Sequence, residues 1–264
     1  MKIAVIGSNG FVGRNVFNFL KLKNHNVQGL NRNNIDLLDP KQVNFWLKSN
    51  RPNIIINCAA IMKDNNSIND CRNNLAIFIN LFNNAHLFDK FIDTGSGAEF
   101  DRTTNIENAS IDKLFDSIPL DSYGFGQNIK SRMCRERENF YTLRIFNCFG
   151  RGELNTRIIP KFLTSKNTFK IFDDRYFDYF GIQDLNAVVE HYVDNDVFFK
   201  DINTVYMKKV KISEMLKLYC EIHNISVNNF EIESVSNLNY TGDGTLLNNL
   251  GLKLLGLEEC LKRY

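Results

Sequence analysis

The sequence is poor in the features that assign a class at a glance. Cys58, Cys71, Cys134, Cys148, Cys220 and Cys260 form no C-x-x-C pair and no metal-like spacing, which argues against a zinc site or a thiol redox motif. Four of them lie in apolar stretches, so reduced thiols are expected in place of disulfides. No apolar run approaches the ~20 residues that a membrane span needs. The Met-Lys start leads into a short apolar segment with no cleavage site, so a cytoplasmic protein is expected. Neither sign of charge is in excess: 32 Lys and Arg stand against 30 Asp and Glu, for a net +2. That balance gives no reason to expect nucleic acid or an anionic membrane as partner. No internal repeat is visible, and the Asn clusters are too short to count as low-complexity segments.

What is present is the composition of a globular chain. Hydrophobic residues make up 44% and charged residues 23% of 264, enough for one large core, or a core with a smaller lobe attached. KIAVI (2–6), NVQGL (26–30), NIIINCAA (53–60), KFIDTG (90–95) and FYTLRIF (140–146) read as strands. The run NIIINCAA has no polar alternation, as in a strand buried on both faces. Helical patterns separate them: RNVFNFLKLKN, PKQVNFWLKSN with Pro near its start, residues 67–88, and residues 122–139. Strands alternating with helices imply an α/β fold, a doubly wound parallel sheet with helices on both faces. Beyond Gly150 the regularity weakens to the helical patterns IIPKFLTSK, DLNAVVEHYV and KISEMLKLYC and a loop-rich end. The expected division is residues 1–149 and a smaller lobe at 150–264, with some later segments returning to the first unit.

Gly7, Gly10 and Gly13 form G-x-x-G-x-x-G between the first strand and the first helix, with Asn9, Phe11 and Val12 among them. Such glycines permit a tight turn and let backbone approach a pyrophosphate at the helix N-terminus. An NAD site usually places an acid ~20 residues further on, to hold the ribose hydroxyls. Here Asn31 and Arg32 follow the second strand, and no acid comes before Asp36. A guanidinium pairs with the 2′-phosphate that a carboxylate would repel, so NADP is expected over NAD.

Several pieces in order carry a resemblance: GSNGFVG, NIDLLD, RPNIIINCAA, the NNL of the 67–88 helix, GSGAEFD, YGFGQ, and LRIFNCFGRGE followed by RIIPKF. Together they resemble the extended short-chain dehydrogenase/reductase family, the sugar-nucleotide epimerases, dehydratases and reductases. GDP-fucose synthase-like and dTDP-4-dehydrorhamnose reductase-like members are the nearest in look. The resemblance implies a Rossmann fold with a C-terminal substrate-binding lobe. It puts Asp36 and Leu37 at the adenine, and Cys58, Ala59, Ala60 and Asn74 on the cofactor side. It makes Ser96 and Tyr123 the catalytic hydroxyl pair, and it implies a homodimer through the helices at 67–88 and 122–139. In the family's chemistry the tyrosine exchanges a proton with a keto or hydroxyl oxygen while the nicotinamide moves a hydride at the same carbon.

Departures from the family pattern narrow the reaction. Dehydratases carry an Asp-Glu pair directly after the Ser/Thr, where this chain has Gly97 and Ala98. GDP-fucose synthase epimerises with a Cys and a His, where this chain has Ala98 and Arg157. Simple reduction of a 4-keto sugar nucleotide is what remains. Substrate contacts are expected from Ser96, Gly97, Ala98, Tyr123, Asn147, Arg157 and Arg175. Arg175 stands two residues from the family's usual diphosphate arginine position, which Phe177 occupies here. Four residues after the tyrosine the family has a lysine that lowers the tyrosine pKa and binds the nicotinamide ribose. Here that position is Gln127, neutral but able to hydrogen-bond the ribose. Lys130 lies on nearly the same face, but about 10 Å further along the axis at 1.5 Å per residue, far for a direct replacement. An active reductase, a weak or inactive NADP-binding homologue, and a 4-epimerase all remain open at this point.

Overall fold

The computed structural model describes residues 1–61 and 67–264. The first half runs β1 (Lys2–Ile6), α1 (Phe11–Leu22), β2 (Asn26–Leu30), α2 (Pro40–Asn50), β3 (Ile54–Asn57), α3 (Ile68–Phe82), β4 (Lys90–Ser96), β5 (Ile106–Ala109), α4 (Ser122–Arg135) and β6 (Phe140–Ile145). The second continues with β7 (Cys148–Phe149), α5 (Ile158–Thr164), β8 (Phe169–Asp174), β9 (Tyr176–Phe177), β10 (Phe180–Gly181) and α6 (Ile182–Asp194). It then runs through β11 (Asp201–Thr204), β12 (Val210–Lys211), α7 (Ile212–His223), β13 (Phe230–Val235), β14 (Tyr240–Gly242), α8 (Thr245–Asn248) and α9 (Gly256–Lys262).

Six strands make one parallel sheet in the order β11-β6-β4-β3-β1-β2. The chain leaves β1 in one direction for β2 and returns past it to β3, so a crevice opens beyond the C-terminal ends of β1 and β3. Apolar side chains explain the layering. One face of the sheet packs Ile3, Val5, Ile54, Ile56 and Ile92 against Val16 and Leu20 of α1 and Leu185, Val188 and Val189 of α6. The other packs Ala4, Ile6, Ile55 and Phe91 against Val43 and Leu47 of α2 and Ile77, Phe78 and Leu81 of α3. A separate cluster joins α5, α7 and α9 to β8 and β13. Part of the later chain joins the large sheet: β11 is its edge strand, and α6 lies on α1.

Two helices stop earlier than the periodicity suggests. α3 ends at Phe82, because the Asn84 carboxamide donates to Asn80 O at 2.8 Å and accepts from Asn44 at 2.6 Å. α4 ends at Arg135 in a turn closed by Arg137 N to Cys134 O at 3.1 Å. The loop-rich end expected beyond 223 holds two short strands and two short helices instead. Among the described residues no helix is long and apolar enough to cross a membrane, and all six cysteines are unpaired.

Candidate active site

The glycine turn is built for close approach. Gly7 takes φ +76°, a conformation that L side chains rarely adopt. A Cβ on Gly13 would sit 2.3 Å from Gly7 O, so α1 starts pressed against the turn. Gly7 in turn lies against the loop after β3, where an added Cβ would meet Cys58 O at 2.8 Å. These contacts keep α1's first N–H groups uncovered at the crevice, as a bound pyrophosphate requires. Beside them lies a cleft of ≈ 700 Å³ whose lining includes Gly7, Asn9, Gly10, Asn31, Arg32, Asp36, Leu37, Cys58, Ala59 and Ala60, together with Ile61, Asn73 and Ile77. The residues fit a dinucleotide: Arg32 is exposed at the cleft and has no ion-pair partner among the described residues. Burial pushes the Cys58 thiol up to about 12, so it lines the cleft as an inert wall. Phe11 and Val12 pack onto the core from the start of α1. Asn74 is engaged at both ends of its carboxamide, accepting from Ile61 N at 2.7 Å and donating to Ile61 O at 2.9 Å. It shapes the cleft by holding Ile61 in its lining.

Ser96 ends β4 and Tyr123 opens α4, and the sequence between and after them explains why α4 packs against the Ser96 turn. The Ser96 hydroxyl accepts from Ala98 N at 3.2 Å, and the Glu99 carboxylate accepts from Ser96 N at 2.7 Å, a reciprocal cap on the turn Gly97–Glu99. The Asp121 side chain caps α4 by accepting from Gly124 N at 2.8 Å. Gly124 then lets the helix touch the turn: a Cβ there would lie 2.3 Å from Ala98 O. Gly126 gives the same freedom toward Cys71 of α3, 2.9 Å from its would-be Cβ. Asn128 completes the docking by donating to Glu99 O at 2.9 Å. The two glycines of YGFGQ are therefore packing residues that seat Tyr123 beside the Ser96 turn.

Tyr240, which sequence reasoning missed, comes to the same place from β14. Its hydroxyl would lie 2.6 Å from a Cβ on Gly97. It lies near Ser96 and Tyr123, and burial holds its phenol protonated. The stretch that follows it, TGDG (241–244), is the one local signal beside it.

Gln127 is buried and has a charged neighbour. Lys130 Nζ donates to its Oε1 at 3.0 Å and pairs with Asp93 Oδ2 at 2.9 Å. Burial alone would pull the Lys130 ammonium down, but Asp93 outweighs it and holds the group charged. Asp93 Oδ1 accepts from Asn57 at 2.6 Å, and Asn57 Oδ1 accepts from Ala59 N at 3.3 Å. A buried polar chain thus runs from the cofactor loop through β3 and β4 to α4.

The remaining expected contacts lie around the smaller lobe. Asn147 is buried and accepts through Oδ1 from Arg157 Nη2, and Arg157 also faces Glu153. Burial pushes the Glu153 carboxyl up to about 7, against the pull of Tyr264 and Arg157. Arg175 is tied to its own strand pair, donating to Leu238 O at 3.1 Å and pairing with Asp173 at 3.3 Å. Both arginines act on the buried Tyr179. Asp178 is structural: it accepts from Gly242 N at 2.7 Å and from Lys209 at 2.8 Å, fixing β14 and hence Tyr240.

Relatives agree with this architecture. The model of the NAD dependent epimerase/dehydratase family matches residues 3–192. GDP-L-colitose synthase of Yersinia pseudotuberculosis is 33% identical over 86 residues, 31% of this chain and 28% of that protein. Among solved structures, MlghC, a GDP-mannoheptose C4 reductase from Campylobacter jejuni with NADP bound, has TM-score 0.83 at 19% identity, covering 99% of this chain and 96% of that one. A GDP-L-fucose synthetase from Naegleria fowleri bound to NADP gives 0.84 at 16% identity, over 99% and 90% of the two chains. At such identities the likeness is one of fold. The family match covers well over half of the sequence and contains the glycine turn, Ser96, Tyr123 and Asn147 alike: the chain belongs to the NAD dependent epimerase/dehydratase family.

Proposed function

We propose that the protein is an NADPH-dependent C4-reductase of a nucleotide-activated 4-keto-(deoxy)sugar, acting in the cytoplasm in surface-polysaccharide sugar biosynthesis. The observation that carries this reading is the seating of Tyr123 against the Ser96 turn, with Gly97 and Ala98 where an acid pair would be needed for dehydration. NADPH, when bound, supplies the hydride. Gly7–Gly13 would hold its pyrophosphate, and Asn31–Leu37 its adenosine end. Ser96 would hydrogen-bond the keto oxygen, and the Tyr123 O–H would protonate it, leaving the C4 hydroxyl. Asn147 and Arg157 would receive the sugar nucleotide. Consumption of NADPH, followed by absorbance, with GDP-, dTDP-, UDP- and CDP-linked 4-keto sugars tests the reading. Binding of NADPH with no turnover on the whole panel would favour the second reading, a non-catalytic NADP-binding homologue, which Gln127 at the lysine position supports.

NADP preference rests on Arg32. Arg32→Ala should weaken NADPH binding by about ten- to a hundredfold, the worth of a charge-assisted phosphate contact, and leave NADH binding nearly unchanged. Equal losses for both would sink the preference.

A homodimer through α3 and α4 is also proposed. Ile68, Ile79 and Phe125 are exposed on these helices at 66%, 38% and 37%, more apolar surface than a solvated helix face needs. Light scattering at micromolar concentration should give twice the chain mass, and a monomer would count decisively against it.

A further inference from the structure

Gln127 stands where the family pattern has a lysine, and Lys130 follows it one turn later. Gln127 is the i+4 neighbour of Tyr123 and the i−3 neighbour of Lys130, so its carboxamide lies between them on one helix face. An ammonium has donors only, so the Lys130 contact at 3.0 Å fixes the oxygen of Gln127 toward Lys130. The amide nitrogen must then point the other way, and it makes no hydrogen bond to any described residue. Lys130 itself cannot swing: Asp93 holds it at 2.9 Å, its side chain is 4% exposed, and it lies over the Phe78 ring at 5.6 Å. The Asp93 carboxylate is anchored in turn by Asn57, one residue before the cofactor loop.

We propose that Lys130 is a positioning residue, whose ammonium orients the Gln127 carboxamide so that its N–H donors face the nicotinamide ribose and Tyr123. The inference rests on the cofactor reading above. The buried chain Asn57–Asp93–Lys130–Gln127 delivers a fixed donor to the place where the family pattern has an ammonium. The positive charge stays one residue back, balanced by Asp93.

The arrangement has an unusual consequence for the obvious repair. Gln127→Lys alone would bring a second ammonium against Lys130, whose charge Asp93 already pairs. Exchanging the pair, Gln127→Lys with Lys130→Gln, keeps one cation and one amide in the same space.

Titration of NADPH by its fluorescence, without any sugar, tests the proposal on the full-length protein. Gln127→Leu should weaken binding about five- to tenfold, the worth of one net hydrogen bond. Lys130→Met should lose the same, and the double variant should lose no more than either single one. Multiplying losses in the double variant would mean independent roles and overturn the proposal. Lys130→Met leaves Asp93 buried without its cation, so where that variant does not fold, Asp93→Asn/Lys130→Met removes both charges and takes its place in the cycle. The exchanged pair should bind NADPH within about threefold of wild type, while Gln127→Lys alone falls at least tenfold, because like charges adjacent in a buried site repel. Gln127→Lys equal to or better than the exchange would also overturn it. Absence of turnover on the sugar-nucleotide panel defeats the reductase reading but leaves this binding cycle intact. Normal turnover with multiplying losses defeats the proposal alone.

Discussion

Tyr123→Phe should lower reduction of a 4-keto sugar nucleotide by about a hundred- to ten-thousandfold, the usual worth of a positioned general acid. The phenol opens α4, where the Asp121 cap, the Gly124 contact with Ala98 and the Asn128 bond to Glu99 fix the helix against the Ser96 turn. None of these contacts uses the hydroxyl, so the variant should fold normally, with a stability change within about 0.5 kcal/mol. NADPH affinity should be largely kept, since the cleft is lined by the loops after β1, β2 and β3 and by α3. The expected signature is therefore a fall in kcat with little change in cofactor binding. Tyr240 adds a second phenol near Ser96, buried and protonated, and it is the candidate source of a residual rate. If Tyr123→Phe reduces the substrate as fast as wild type, Tyr123 has no part in the chemistry. If Tyr123→Phe is tenfold down and Tyr123→Phe/Tyr240→Phe is dead, the two phenols share the proton transfer.

Much of this site is legible in the amino-acid sequence itself. The strands 2–6 and 26–30 and the helix 40–50 fall where the apolar periodicity puts them, with Asp39 capping the helix and Pro40 opening it. The glycine turn follows β1, Ser96 ends β4 and Tyr123 opens α4, so each is placed by the local pattern of its own element. Lys130 looks remote on the axial rise alone, because that rise counts backbone only. Helical side chains lean toward the N-terminus, and a lysine stem covers the distance to its i−3 neighbour, Gln127. Its partner Asp93 has no local signature, since that pair joins α4 to β4 across the core. The smaller lobe is the least legible part. Its strands are two to six residues long, and β8 pairs with β13 some sixty residues later, a contact that no local pattern specifies. Tyr240 reaches the site through such pairings, by way of the Asp178–Gly242 bond.

Glu99→Ala should be the most destabilising single change near the site, costing about 3–5 kcal/mol, the loss typical of breaking a buried ion pair by removing one partner. Glu99 is 1% exposed and Arg144 is fully buried. The carboxylate accepts from Arg144 Nε at 2.6 Å, Ser131 Oγ at 2.6 Å and Ser96 N at 2.7 Å. Its removal strands a guanidinium that keeps Asp201 at 2.8 Å and Asn203 at 3.1 Å on its other side. Those partners lie on β11, so the arginine is half compensated, and the lower end of the range is expected. The same carboxylate caps the Ser96 turn, so the surviving native protein should also lose turnover in proportion to the disorder of Ser96. Glu99→Gln separates the two effects. Its carbonyl can still accept from Ser96 N, so the cap survives while the charge opposite Arg144 is lost. Urea unfolding should show a lower midpoint for both variants at an unchanged slope, with kcat depressed more in Glu99→Ala than in Glu99→Gln. A loss under about 1 kcal/mol in Glu99→Ala would mean that Asp201 alone satisfies Arg144, and that the Glu99 carboxylate serves the turn and not the core.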